Sequence, residues 1–86
     1  MTPTPPFWFK QRQCKLEPAG GDHAFRVTAP NFGEAFLSVA QGPGGGWRGS
    51  LRWQADGPEA DGTSEVRTPQ EAWGRLFELF RTRVII

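Results

Sequence analysis

Residues 68–80, TPQEAWGRLFELF, contain the clearest helix signal in the chain. Thr68 is a favourable N-cap, Pro69 takes the first helical position, where its missing N–H costs nothing, and Glu71 completes a capping box. Apolar side chains then recur at helical spacing, at Ala72, Leu76, Leu79 and Phe80, with Trp73 and Phe77 on an adjoining stripe. The sequence therefore predicts an amphipathic helix from about Thr68 to Phe80.

Several runs before this helix have the alternation that is typical of half-buried strands. The predicted strands are Ala24–Ala29, Ala35–Gln41 and Trp47–Gln54, and Phe7–Leu16 is predicted as a further strand. Turns rich in Gly and Pro separate them, the clearest being the hairpin loop Gly42–Gly46. The order predicts an α+β fold: an antiparallel β-meander of three to four strands packed on one C-terminal α-helix.

The phase of each element predicts a core. Its members are Phe25, Val27, Leu37, Val39, Leu51, Trp53, Ala72, Leu76 and Phe80. If the large ring of Trp53 is buried, Trp53→Ala should lower the free energy of unfolding by about 3–5 kcal/mol.

The two ends of the chain differ in character from this core. Residues 1–6, MTPTPP, predict a flexible Pro-rich arm, which leaves residues 7–86 as one small domain. The aliphatic residues Val84-Ile85-Ile86 are expected to dock on the domain, as helix or strand, because three exposed aliphatics would be adhesive.

Composition narrows the class of protein. The chain has 86 residues, a formal net charge of +1, one cysteine (Cys14) and one histidine (His23). One cysteine forms no internal disulfide, and this pair supplies no four-ligand zinc site. The N-terminus lacks the basic and apolar regions of a signal peptide, and the apolar runs are too short to span a membrane. We expect a cytoplasmic protein that does not associate with a membrane.

Residue types that support catalysis occur in weak contexts. Asp22 and His23 lie in a predicted turn, and Cys14 in a predicted strand is typical of a small buried hydrophobe. The glycines of Gly42–Gly46 lead into a strand and lack the Lys of a phosphate-binding loop. We therefore predict no enzymatic activity, no cofactor and no metal site.

The distribution of charge is the feature most informative about function. The predicted strands carry no Asp or Glu, and their charged residues are Lys10, Arg12, Lys15, Arg26, Arg48 and Arg52. If the helix covers the apolar face, Arg26, Arg48 and Arg52 project from the open face. Such a face meets phosphates or an acidic protein. Ordinary solvation of the polar side of a one-sided sheet is the alternative explanation.

One resemblance concerns the segment Gly46-Trp47-Arg48-Gly49-Ser50-Leu51-Arg52 followed by Thr68-Pro69-Gln70-Glu71-Ala72. It resembles the strand-then-helix portion of the plant ethylene-response-factor type of DNA-binding domain, over less than a third of the chain. That family lays a three-stranded sheet in the major groove. The resemblance implies that Arg48, Arg52 and Trp47 contact DNA.

The leading hypothesis is a small non-catalytic binding module that binds nucleic acid through the basic open face of the sheet. Basic side chains would meet phosphates, and aromatic rings beside them would stack on bases. The candidate contact residues are Trp8, Lys10, Arg12, Arg26, Trp47, Arg48 and Arg52.

The alternative is a protein-binding inhibitor, adaptor or assembly subunit, with a homodimer as one form. The pI of about 8.0 is low for a nucleic-acid-binding domain. Phe7-Trp8-Phe9 and Val84-Ile85-Ile86 would supply an apolar interface. The acidic segment Asp56–Glu65 would compete with phosphates if it folded back over the sheet.

Overall fold

The computed structural model describes residues 3–21, 23–30 and 33–84. Its elements are α1 (Phe7–Gln11), β1 (Lys15–Gly21), β2 (Ala24–Ala29), β3 (Gly33–Gln41), β4 (Trp47–Arg52), β5 (Asp61–Gly62) and α2 (Pro69–Val84). The strands form one antiparallel sheet in the order β1-β2-β3-β4-β5. Because α2 packs on β3 and β4, the predicted α+β meander with a C-terminal helix is confirmed, with β5 as an additional strand.

Helix α2 begins where the capping residues predict. The Thr68 hydroxyl accepts a hydrogen bond from the Glu71 N–H at 3.1 Å, and the Thr68 carbonyl accepts one from the Ala72 N–H. The helix continues past Phe80 to Val84, which is half-buried against the core. The predicted docking of Ile85 and Ile86 concerns residues outside the described part of the chain.

The segment Phe7–Gln11 is a helix, so the prediction of a strand over Phe7–Leu16 is wrong except for Lys15 and Leu16, which begin β1. In α1 the consecutive residues Trp8 and Phe9 are both buried, while Phe7 is 79% exposed. A strand alternates its side chains and cannot bury two neighbours on one face, whereas a helix can. Contacts of Trp8 with Phe80 and of Phe9 with Phe77, at ring-centroid distances of 6.1 and 5.2 Å, hold α1 against α2.

From Glu17 to Gly21, strand β1 occupies residues whose Pro and Gly content predicts a turn. Pro18 is tolerated because β1 is an edge strand, where a missing N–H need not break a ladder. The register with β2 shifts between Pro18 and Gly21, and Gly20 has a positive φ of 96°. A proline and a bulge make this edge a poor template for another strand.

The core lies between one face of the sheet and the two helices. Its buried members are Trp8, Phe9, Phe25, Val27, Ala35, Leu37, Val39, Leu51, Ala72, Trp73, Leu76, Phe77 and Phe80. The predicted core is therefore confirmed except for Trp53, which is 43% exposed. Strand β4 ends at Arg52 and the chain then bends, so Trp53 leaves the phase that would have buried it.

Residues 3–6 form neither helix nor strand, and Pro3 is buried. The mobility of the N-terminal arm stays a prediction. No helix in the described ranges is long and apolar enough to cross a membrane.

Candidate interaction surface on the open face of the sheet

The face of the sheet turned away from α2 carries three of the predicted basic residues, Arg26, Arg48 and Arg52. In the register of β2, β3 and β4, Arg26 pairs with Phe36 and Phe36 pairs with Arg52. Direct partners in an antiparallel sheet project to the same side. We call this side the open face, and its residues are Lys15, Glu17, Ala24, Arg26, Thr28, Glu34, Phe36, Ser38, Ala40, Arg48, Ser50 and Arg52.

Phe36 is the central aromatic residue of the open face. It is half-buried, while its neighbours along the strand, Ala35 and Leu37, are buried in the core on the other side. Cross-strand partners have Cβ atoms about 4.5–5.5 Å apart, which places Arg26 and Arg52 on either side of the ring. The open face thus has an aromatic residue at its centre, with an arginine paired to it on each neighbouring strand.

A carboxylate from the loop after β4 is bound to the open face. Glu59 accepts hydrogen bonds from Arg48 Nη1 and Nη2, at 2.6 and 2.7 Å, and from Ser50 Oγ at 2.6 Å. The hydrogen bond from Arg48 and then that from Ser50 lower the pKa of Glu59 to about 2. The same contact raises the pKa of Arg48. This arrangement stabilises a negative charge at one point on the face.

Strands β4 and β5 fix the position of Arg48. A Cβ at Gly62 would collide with the Arg48 guanidinium, so the absence of a side chain there makes room for it. Arg48 Nη1 also donates to Ser50 Oγ at 3.3 Å. The loop itself is held by Arg52 Nε, which donates to the Gly57 carbonyl at 3.2 Å.

The rest of the acidic segment also contacts the domain. Asp61 forms an ion pair with Arg83 at 2.9 Å, and its pKa is lowered by the Gly62 N–H and then by Arg83. The Glu65 carboxylate lies against Gly42 and Gly46, where a Cβ would contact it. The segment Asp56–Glu65 therefore folds back onto the domain.

The glycine-rich loop Gly42–Gly46 joins β3 to β4, as predicted. The Gly42 N–H donates to the Gly46 carbonyl at 2.7 Å, which closes the turn. Gly45 has a positive φ of 87°, a conformation that favours glycine.

The open face carries charges of both signs, so the prediction that the strands lack acidic residues is wrong. Strand β1 extends to Gly21 and so includes Glu17, β3 begins at Gly33 and so includes Glu34, and the additional strand β5 begins with Asp61. Arg26 Nε lies 3.4 Å from a carboxylate oxygen of Glu34. With Glu59 docked, carboxylates are interspersed among the basic residues of the open face.

The seven predicted contact residues separate into groups. Arg26, Arg48 and Arg52 share the open face. The exposed residues Lys10 and Arg12 belong to the end of α1.

The two tryptophans among the predicted contact residues pack inward. Trp8 is 7% exposed, so its prediction as a stacking platform is wrong: the helical turn of α1 carries it into the core. Trp47 is half-buried against the core, with its ring 5.6 Å from that of His23. The alternative hypothesis used Phe7-Trp8-Phe9 as an apolar surface, but Trp8 and Phe9 are buried and only Phe7 of the three is exposed.

Other reactive residue types have ordinary surroundings. Cys14 is half-buried against the core, and burial raises the pKa of its thiol. This opposes formation of a nucleophilic thiolate. Asp22, predicted beside His23, lies outside the described residues. Over the ranges described, no three His, Cys, Asp or Glu side chains are grouped to hold a metal ion.

No protein-family model, curated protein or solved structure matches the chain. The DNA-binding resemblance therefore depends on the residues quoted for it. In the structure β5 lies between the two resembling segments, and Arg48 binds Glu59.

Phe36 and Glu59, which are central to the candidate surface, are among the residues absent from the predicted contact set. Phe36 is detectable as an aromatic residue in the polar phase of a predicted strand, opposite to Leu37 and Val39. Glu59 has no comparable local signal, because its partners Arg48 and Ser50 are brought to it by the path of the loop.

Proposed function

We propose that this protein is a non-catalytic module that binds another protein through the open face of its sheet. The observation that carries the proposal is the placement of Phe36 between Arg26 and Arg52 on a face that α2 leaves uncovered. Aromatic residues and arginine are enriched at protein interfaces, and binding energy concentrates at a few central residues of these types.

The charges of the open face favour a protein over a nucleic acid. Glu17 and Glu34 lie in the strands, and Arg48 is already bound by Glu59. A polyanion would meet repulsion from these carboxylates, whereas a protein surface can present charges of both signs. The net charge of +1 adds little long-range attraction for nucleic acid.

Nucleic-acid binding is the second candidate. It is favoured by the shared location of Arg26, Arg48 and Arg52, with Ser50 between the last two along β4. Phosphates would have to displace Glu59 from Arg48 to use all three guanidinium groups. Binding of this kind would weaken steeply with salt.

Affinity capture with a matched pair of variants tests the proposal. Phe36→Ala removes the aromatic centre of the open face, and Phe7→Ala removes an exposed ring on α1. We expect a protein partner, retained after nuclease treatment, to be captured at least about tenfold less by Phe36→Ala. Phe7→Ala should capture as much as the parent chain.

Three outcomes would contradict the proposal: equal capture by both variants, loss on Phe7→Ala alone, or release of all captured material by nuclease. Far-UV circular dichroism of both variants checks that the fold is retained. Titration of duplex and single-stranded DNA and RNA at two salt concentrations tests the second candidate directly.

A further inference from the structure

We propose that Arg48 and Ser50 form a binding site for a carboxylate side chain of the protein partner, and that Glu59 fills this site in the free chain. The inference rests on the proposed function, because it assigns one contact within the interface. It also assigns a role to the loop between β4 and β5: the loop carries an internal competitor of the partner.

The geometry of the site matches a carboxylate. The two terminal nitrogens of Arg48 donate to the two oxygens of Glu59, and Ser50 donates to one of them, with distances of 2.6–2.7 Å. Parallel donation from a guanidinium is specific for planar acceptors with two oxygens, and it is stronger than donation between neutral groups. Both donors lie on β4, a strand paired on both sides.

The occupant comes from a less regular part of the chain. Glu59 lies between Arg52, where β4 ends, and Asp61, where β5 begins, in a segment without helix or strand. The side chains of Arg48 and Glu59 are 42% and 31% exposed. Exposed ion pairs contribute little net stability, so an incoming carboxylate replaces Glu59 at small cost.

The location of the site links it to the proposed interface. Ser50 pairs with Ser38 and Arg52 pairs with Phe36, so the site lies two residues along β4 from the aromatic centre. A partner that covers Phe36 therefore reaches Arg48. The neighbouring residues Glu17 and Glu34 disfavour a continuous polyanion and favour a partner that offers an isolated acidic side chain.

The test compares Glu59→Gln with Asp56→Asn, which makes the same charge change in the same loop. The probe is a capped Gly-Gly-Glu-Gly-Gly peptide, which offers one isolated carboxylate, titrated at low salt and followed by NMR of the Arg48 side chain and the Ser50 and Gly62 amides. A tethered competitor acts at about millimolar effective concentration. Because the exposed contact holds Glu59 only weakly, we expect Glu59→Gln to bind the peptide about two- to sixfold more tightly than the parent chain or Asp56→Asn.

Adding Arg48→Gln to Glu59→Gln should abolish this gain. Equal gains for Glu59→Gln and Asp56→Asn would overturn the inference, because net charge alone would explain them. If Glu59→Gln shows no gain in affinity while its amide spectra show that the fold is retained, the contact only holds the loop in place. That result would also overturn the inference.

Tighter binding of a short DNA duplex than of the peptide by Glu59→Gln would assign the site to phosphate, against the inference. None of these results depends on Phe36 or on capture of a partner. Failure here therefore leaves the proposed function standing, and failure of the capture experiment is recognised separately.

Discussion

Gly49 of β4 lies directly against Leu76 of α2, so that a Cβ at Gly49 would stand 3.0 Å from the Leu76 Cβ and 3.1–3.3 Å from its two methyl carbons. Leu76 is fully buried. This close approach seats α2 on β4, and it is one reason why the helix covers one face of the sheet and leaves Phe36 on the other.

Gly49→Ala should destabilise the protein. The added methyl group meets a buried side chain that has little room to move, and overpacking of this kind costs about 1–3 kcal/mol. Gly74→Ala is the matched control, because Gly74 is exposed on α2 with nothing near its missing Cβ. It should stabilise the protein by up to about 1 kcal/mol through helix propensity. Urea unfolding measures both, and an unchanged midpoint for Gly49→Ala would contradict this packing.

Trp8→Ala should cost about 3–5 kcal/mol, because it removes a buried ring that contacts Phe9 and Phe80. Phe7→Ala, at an exposed position next in sequence, should change the free energy of unfolding by less than about 0.5 kcal/mol. Urea unfolding of the pair tests the burial of Trp8 and the exposure of Phe7 in α1. Similar losses for both variants would contradict this placement of the two rings.

Trp53→Ala should cost clearly less than Trp8→Ala. Trp53 is 43% exposed in the folded protein. Folding therefore buries less of its apolar surface, and its truncation loses less of the stability that burial provides. This reverses the expectation drawn from the alternation of Trp47–Gln54. If Trp53→Ala and Trp8→Ala lower the free energy of unfolding equally in the same urea series, Trp53 belongs to the core after all.

The contact between Glu59 and Arg48 should contribute a pH-dependent part of the stability. The folded-state pKa of Glu59 is lowered to about 2, below the value of about 4.3 for an unfolded chain. Its contribution is therefore present above about pH 4.3 and is lost as the pH falls through 2. At pH 7 Glu59→Gln should cost less than about 1 kcal/mol, since the pair is partly exposed.

A double-mutant cycle of Glu59→Gln and Arg48→Gln, followed by thermal unfolding between pH 7 and pH 2, isolates this contribution. The coupling should be favourable at pH 7 and absent near pH 2. A coupling that grows as the solution is acidified has the wrong sign for a carboxylate held by an arginine.

The parts of the fold that the sequence predicts are those fixed by local chemistry. The Thr68 cap and the apolar spacing identify α2, and strict alternation identifies β2 and most of β3 and β4. Their phases are also sufficient to place Arg26, Arg48 and Arg52 on one face. Local pattern is sufficient for these elements because a half-buried helix or strand must repeat its apolar residues with the period of its own backbone.

The remaining parts depend on contacts between distant residues. Phe7–Gln11 is helical because Trp8 and Phe9 reach α2, a contact that local alternation does not encode. Glu59 meets Arg48 across eleven positions of sequence through a loop without periodicity. The prediction that the strands carry only basic charges fails for the same reason. It depends on where the strands begin and end, and on which loop residues contact the sheet.

Site-specific photo-crosslinking tests the central claim, that the open face binds a protein, most directly. A benzophenone amino acid replaces Ala40, exposed on the open face beside Arg48, or Arg75, exposed on α2. We expect a nuclease-resistant protein adduct from position 40 that disappears when Phe36→Ala is added, and no adduct from position 75. An adduct from position 75 alone, or a nucleic-acid adduct from position 40, would contradict it.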